Sequence, residues 1–108
     1  MTRLMIMWRR PYHLTGDQAE EWARHAAEQL AASDVVARAM LAPLHSAAGG
    51  QVSDGDWLLE LHPSPGVDAR QLLEDAACAD WLDDLRQLGT EPRVMLAERG
   101  IGLRPLDG

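Results

Sequence analysis

The stretch that most constrains the fold is residues 56–62, Asp-Trp-Leu-Leu-Glu-Leu-His. Alternation with a period of two is typical of a β-strand whose two faces meet different surroundings. One face carries Trp57, Leu59 and Leu61, and the other carries Leu58, Glu60 and His62. The first face predicts a core packed beneath helices. The second face combines apolar and polar side chains, and the function depends on what packs against it.

Length and charge limit the classes of protein to consider. The 108 residues are predicted to form one domain spanning 1–108. The formal net charge of −7 argues against a broad nucleic-acid footprint or an anionic membrane surface. All ten basic residues are arginine, and the absence of lysine excludes Schiff-base chemistry and a phosphate loop of the Gly-Lys-Ser/Thr type.

Two further features concern location. The apolar run at residues 4–8 is too short for a signal peptide or a membrane span, and Arg9, Arg10 and Pro11 follow it directly. Cys78 is the single cysteine, so the chain forms no internal disulfide. A cytoplasmic location is the expectation for such a chain.

The first half of the chain predicts a strand, a helix and a second strand. The first strand spans Arg3 to Arg10, and the helix begins at a capping box formed by Thr15 and Gln18 and ends near Ala32 or Ser33. The second strand spans Val35 to His45, although its alanines and methionine also suit a helix. Pro43 lacks a backbone donor, which places this strand at an edge of the sheet.

The second half predicts a broken helix and a final strand. Asp68 and Gln71 form a cap, and the apolar positions change face within residues 72–88. A break is expected near residues 77–79, with Asp80 capping a second short helix. The last strand covers residues 91–98, and the tail at 99–106 keeps alternating apolar residues that would extend or exchange an edge strand.

The order strand, helix, strand, strand, helix, strand predicts an α+β fold of the ferredoxin-like βαββαβ type. Its four-stranded antiparallel sheet would carry both helices on one face, with the first and third strands central. The residues expected beneath the helices are Leu4, Ile6, Trp8, Ala37, Ala39, Leu41, Trp57, Leu59, Leu61, Val94 and Leu96. Those expected on the opposite side, here named the open face, are Met5, Met7, Arg9, Arg38, Met40, Leu58, Glu60, His62, Met95 and Ala97.

Four of the five methionines fall on the open face. A sheet surface with this much apolar area is expected to be covered, and a monomer with its helices on the other side has little left to cover it. A homodimer formed through the open face is therefore predicted.

With this element order, the strand at residues 56–62 and the broken helix carrying Trp81-Leu82-Asp83-Asp84-Leu85, the chain resembles the dimeric α/β-barrel superfamily. Members of that superfamily pair two ferredoxin-like sheets face to face. They include EthD-like and muconolactone isomerase-like proteins, haem-degrading monooxygenases, and antibiotic-biosynthesis-monooxygenase-like proteins that form polyketide quinones without a cofactor. The resemblance is one of fold, and function inferred from fold is analogy.

Two departures from the superfamily narrow the functions that the resemblance implies. Haem-degrading members use an Asn, a Trp and a helical His ligand, whereas this chain has no asparagine and no histidine in its second helix. The lack of asparagine also counts against the quinone-forming chemistry, in which an Asn and a Trp are implicated. No cofactor is expected.

Two interpretations of the open face stay open. In the first, a pocket lined by the methionines binds a hydrophobic or aromatic acid or ketone, since methionine adapts to flat ligands. Its lining would be Met5, Met7, Met40 and Met95. Arg38 would hold a carboxylate or enolate, His62 would move a proton, and Glu60 would be the third polar group. In the second, the open face is only a dimer interface in a non-catalytic module, so the sequence does not decide whether the protein is an enzyme.

Other candidate groups are weaker. Tyr12, His13 and His45 are expected near one end of the sheet, but two histidines without a third ligand do not predict a metal site. His25 is expected in solvent. Cys78 has no base nearby in sequence, so it is predicted to be a small buried residue and not a nucleophile.

Overall fold

The computed structural model describes residues 2–44 and 56–98. Its elements follow the predicted order, with the second predicted helix divided in two. They are β1 (Arg3–Trp8), α1 (Gly16–Ala31), β2 (Val36–Leu44), β3 (Asp56–Pro63), α2 (Gln71–Glu74), α3 (Ala76–Gln87) and β4 (Arg93–Ala97). Residues 77–79, where the break in the second helix was predicted, lie inside α3.

The four strands form one antiparallel sheet in the order β2-β3-β1-β4. The first and third strands are central, as predicted, and the strand that contains Pro43 lies at an edge. Together with the helices this is the ferredoxin-like α+β fold. The competing helical interpretation of β2 is wrong, because β2 pairs with β3 along nearly its full length.

The predicted capping box begins α1. The Gln18 backbone N–H donates to Thr15 Oγ1 at 3.2 Å, and the Gln18 side chain accepts from the Thr15 N–H at 3.0 Å. Both bonds satisfy donors that the first turn of a helix leaves without partners. Ala32 is the C-cap, at the predicted end of the helix.

The break in the second helix lies earlier than predicted. Asp75 has an extended backbone (φ −65°, ψ 133°) and separates α2 from α3. Asp80 is consequently an exposed residue inside α3, so its predicted role as a cap is wrong. The predicted change of apolar face is nevertheless real, because Leu72 is buried from α2 whereas Trp81, Leu82 and Leu85 are buried from α3.

Two corrections concern which residues lie beneath the helices. A register irregularity between Val36 and Arg38 shifts the alternation of β2 at its start, so Val36 is buried and Ala37 is exposed. On β4, Val94 and Leu96 lie on the helix side as cross-strand partners of Ile6 and Leu4. They are nevertheless 36% and 38% exposed, because the helical layer does not fully cover this edge strand.

The core lies between the sheet and the helices. Its fully buried members from the sheet are Leu4, Ile6, Leu59 and Leu61, and its fully buried leucines from the helices are Leu30, Leu72 and Leu85. Ala23 and Ala26 of α1 are also buried, and their small side chains let the helix approach the sheet closely. Within residues 2–44 and 56–98, every helix falls short of the length and apolarity that crossing a bilayer requires.

Candidate functional site

The sheet register aligns the polar and methionine residues of the open face in rows. Across the four strands, Met40 lies opposite Glu60, Glu60 opposite Met5, and Met5 opposite Met95. Arg38 lies opposite His62 in the neighbouring row. One carboxylate thus lies between methionines, with an imidazole two residues further along the same strand.

Glu60 links two basic side chains. Arg3 Nε donates to Glu60 Oε1 at 3.1 Å, while His62 Nε2 lies 3.9 Å from Glu60 Oε2. The three side chains are 22–33% exposed. Each carboxylate oxygen therefore faces a different partner, and the ion pair with Arg3 holds Glu60 in place beside the imidazole.

His62 presents its two sides differently. Nε2 is buried and makes no hydrogen bond among the described residues. The side chain as a whole is 27% exposed, so its exposure comes from atoms other than Nε2. An imidazole beside a fixed carboxylate is an arrangement that suits proton transfer.

Arg3 was missed among the candidate polar residues, although a signal for it exists. It precedes Met5 and Met7 at intervals of two on β1, which places it on the open face. Its contact with Glu60 is diagonal, since Glu60 lies directly opposite Met5. Arg38 is exposed and makes no ion pair with any residue of the described ranges, so it stays a prediction as a ligand contact.

The methionines form a surface in one copy of the chain. Met40 and Met95 are 43% and 40% exposed, and Met5 and Met7 are half-buried. A cleft at the end of β1 includes Met7 in its lining. Enclosing a ligand against the exposed methionines Met40 and Met95 would need a cover over them.

A separate cleft of about 370 Å³ lies between α1 and the β2–β3 edge of the sheet. Ala27, Ala39 and Leu41 contribute to its walls, and the Arg24–Glu20 ion pair (2.9 Å) lies along α1 beside it. Trp57 also lines it, and its indole Nε1 is buried without a hydrogen-bond partner in the described ranges. The small side chains of Ala27 and Ala39 leave this space between the helix and the sheet.

The group of Tyr12 and His13 is partly formed. Their rings meet edge to face at 5.4 Å, with both residues exposed. His45, the third predicted member, lies outside the described residues. Among the residues that the structure describes, no group of three or more His, Cys, Asp or Glu side chains is arranged to hold a metal ion.

Cys78 is buried in α3, as predicted. Burial, with a smaller contribution from the negative charge of Asp75, raises the pKa of its thiol to about 11. We expect the native thiol to react with Ellman's reagent at pH 8 at least about a hundredfold more slowly than the urea-unfolded chain, because both access and thiolate are lost. Similar rates in both states would show that Cys78 is open to solvent.

Comparisons with known proteins place the fold. No family model matches the chain, and neither does any curated protein. Among solved structures, a Deinococcus radiodurans protein provisionally named an antibiotic biosynthesis monooxygenase superposes with a TM-score of 0.70 at 13% identity, covering 98% of this chain and 99% of that one. SnoaB, a cofactor-independent oxygenase from Streptomyces nogalater studied as a point variant, gives 0.60 at 16% identity, with 95% and 98% covered.

Sequence identities this low show a shared fold but not a shared activity, so the chemistry of this chain must be inferred from its own residues. The superpositions nevertheless span almost the whole of each chain, so the likeness is not confined to one part of the fold. The chain therefore has the ferredoxin-like fold of the antibiotic biosynthesis monooxygenase-like proteins, and its resemblance to them is one of fold.

Proposed function

We propose that the protein is a homodimer that binds a hydrophobic, aromatic small molecule against the open face and transfers a proton on it through His62. The arrangement of Arg3, Glu60 and His62 between methionines is the observation that carries this proposal. A second copy laid over the open face would turn an exposed surface into an enclosed chamber. Both structural neighbours bear the names of oxygenases, which is consistent with a small-molecule function.

The roles of the polar groups follow from their contacts. The carboxylate of Glu60 lies 3.9 Å from Nε2 of His62, where it would orient the imidazole, and Arg3 holds that carboxylate in position. Arg38, opposite His62 and without an ion pair in the described ranges, is available to an enolate or phenolate oxygen. The methionines would hold the flat apolar body of the ligand.

The alternative keeps the dimer and removes the ligand. Its support is that Met40 and Met95 are among the most exposed large apolar side chains, as expected of residues that pack against a second copy. The two functions differ in whether the covered face encloses free volume beside His62. A binding measurement therefore separates them.

The test uses 2-naphthol, a flat aromatic molecule with an ionisable hydroxyl, followed by its fluorescence. We expect saturable binding that the His62→Ala variant weakens about tenfold, because the hydroxyl loses a hydrogen-bond partner. His25→Ala, which removes an exposed histidine from α1, is the matched control and is expected to bind as the unaltered protein does.

A second control uses 2-methoxynaphthalene, which has the same rings but no proton to give. Its affinity is expected to change less than about twofold in His62→Ala, since apolar contacts persist. Sedimentation should show the same oligomeric state for all variants. Absence of saturable 2-naphthol binding, or an equal effect of both histidine substitutions, would favour the filled interface.

A further inference from the structure

A cleft of about 580 Å³ lies where β1 ends and β4 begins. Its volume is within the range of small-molecule sites. Antiparallel pairing sets Met7 opposite Arg93, so the residues that follow β1 and those that precede β4 meet at one end of the sheet. Its lining includes Met7, Arg9, Arg10, Tyr12, Asp56, Glu91 and Arg93.

Basic residues outnumber acidic ones in the lining of this cleft. Arg9, Arg10 and Arg93 line it, and none of them forms an ion pair with any residue in 2–44 or 56–98. Of the two carboxylates in the lining, Glu91 accepts from Arg86 Nε at 3.5 Å, and Asp56 is buried with an interaction of its own. Three arginines thus line one cleft on a chain whose net charge is −7.

Arg10 adds a second source of positive potential. Its Nη1 lies 3.7 Å from the position that a Cβ would take at Gly16, the first residue of α1. The amino-terminal end of a helix carries partial positive charge, which adds to that of the guanidinium, although Asp17 in the first turn of α1 offsets part of it.

The remaining walls suit a flat ring. Tyr12 is 91% exposed, and its Cε1 lies 4.0 Å from the position of a Cβ at Gly89. Gly89 has φ +89°, a conformation that favours glycine and ends α3 in a tight turn. Tyr12 is held over that turn, and it lines the cleft together with Trp8 and Met7.

We infer that this cleft binds an aromatic carboxylate, with the carboxylate held by Arg93 and its neighbouring arginines and the ring held by Tyr12 and Met7. Guanidinium groups recognise carboxylates through paired, charge-assisted hydrogen bonds. The named lining residues all belong to one copy of the chain. The inference therefore goes beyond the proposed chemistry at His62.

The experiment is calorimetric titration with 2-naphthoate. We expect Arg93→Gln to raise the Kd at least about tenfold, because it removes a charge-assisted hydrogen bond to the carboxylate. Arg70→Gln is the matched control, since Arg70 is exposed beside α2 and its loss changes the net charge equally. Its Kd is expected to stay within about twofold of that of the unaltered protein.

Two further measurements test whether Arg93 contacts the carboxylate of the ligand. The neutral 2-naphthamide is expected to bind at least about tenfold more weakly than 2-naphthoate and to be insensitive to Arg93→Gln. Arg93→Gln should leave the fluorescence titration with 2-naphthol unchanged, since Arg93 takes no part in the proposed chemistry at His62. A failure at the open face and a failure at this cleft therefore give different results. The inference is overturned if 2-naphthoate shows no saturable binding, or if Arg70→Gln and Arg93→Gln weaken it equally.

Discussion

The Met95→Glu variant is expected to sediment as a monomer at concentrations where the proposal expects the unaltered chain to be a dimer. Met95 is 40% exposed on the open face and lies opposite Met5, which itself lies opposite Glu60. A glutamate there would bring a second carboxylate into this row. Two-fold symmetry would repeat that charge in the partner, so the interface would bury at least two unpaired carboxylates. We expect the dissociation constant of the dimer to rise at least about a hundredfold.

The neighbouring residue provides a control on the same strand. Val94 is 36% exposed but belongs to the helix side of β4, opposite Ile6. Val94→Glu adds the same charge at almost the same exposure and is expected to leave the dimer intact. Sedimentation equilibrium of the two variants measures the difference. If the unaltered chain is a stable monomer, or if both variants dissociate alike, the open face is not the dimer interface.

Much of the fold follows from patterns that leave little freedom. The alternation at residues 56–62 has large side chains on one face, so only one orientation of β3 buries Trp57, Leu59 and Leu61. The sequence at the start of β2 determines the orientation of the strand less strongly, because Ala37 is small enough to lie on either side of the sheet. A single-residue irregularity between Val36 and Arg38 therefore reversed the predicted faces of that segment alone.

The helix break coincides with a contact that periodicity does not contain. Asp75 takes an extended backbone, and its carboxylate lies 3.4 Å from the hydroxyl of Ser33 beyond the end of α1. This contact joins residues 42 positions apart, so the local pattern at 77–80 could not reveal it. The pattern did locate the change of buried face correctly, since that change depends on the apolar side chains themselves.

Part of the candidate site could likewise be predicted from sequence, and part could not. Glu60 and His62 share a face because they are two residues apart on one strand, and sequence alternation was enough to pair them. The contact of Arg3 with Glu60 depends on the register between β1 and β3, which alternation alone does not specify. The arginine cleft depends further on the strand order, because Arg10 and Arg93 are far apart in the chain.

A second large effect is expected in the core, where Trp81→Ala should lower the free energy of unfolding by about 3–5 kcal/mol. Trp81 is 5% exposed and lies between two other indoles. Its ring meets that of Trp8 edge to face at 5.1 Å and stacks on that of Trp22 at 6.1 Å. The substitution removes both contacts and leaves a cavity that joins β1, α1 and α3. Urea denaturation with an unchanged m-value measures the loss.

Two further variants show whether stability depends on the Trp81 ring or on any substitution in α3. Gln87→Ala alters an exposed position of α3 and is expected to change stability by less than about 0.5 kcal/mol. Trp81→Phe keeps an aromatic ring and removes an indole N–H that is buried without a partner in the described ranges. Because an unsatisfied donor costs about 1–3 kcal/mol, its removal should offset much of the lost area, and Trp81→Phe should lose less than about 1.5 kcal/mol. A loss for Trp81→Ala no larger than that for Gln87→Ala would mean that α3 does not pack through Trp81, and the arrangement of helices over the sheet would be wrong.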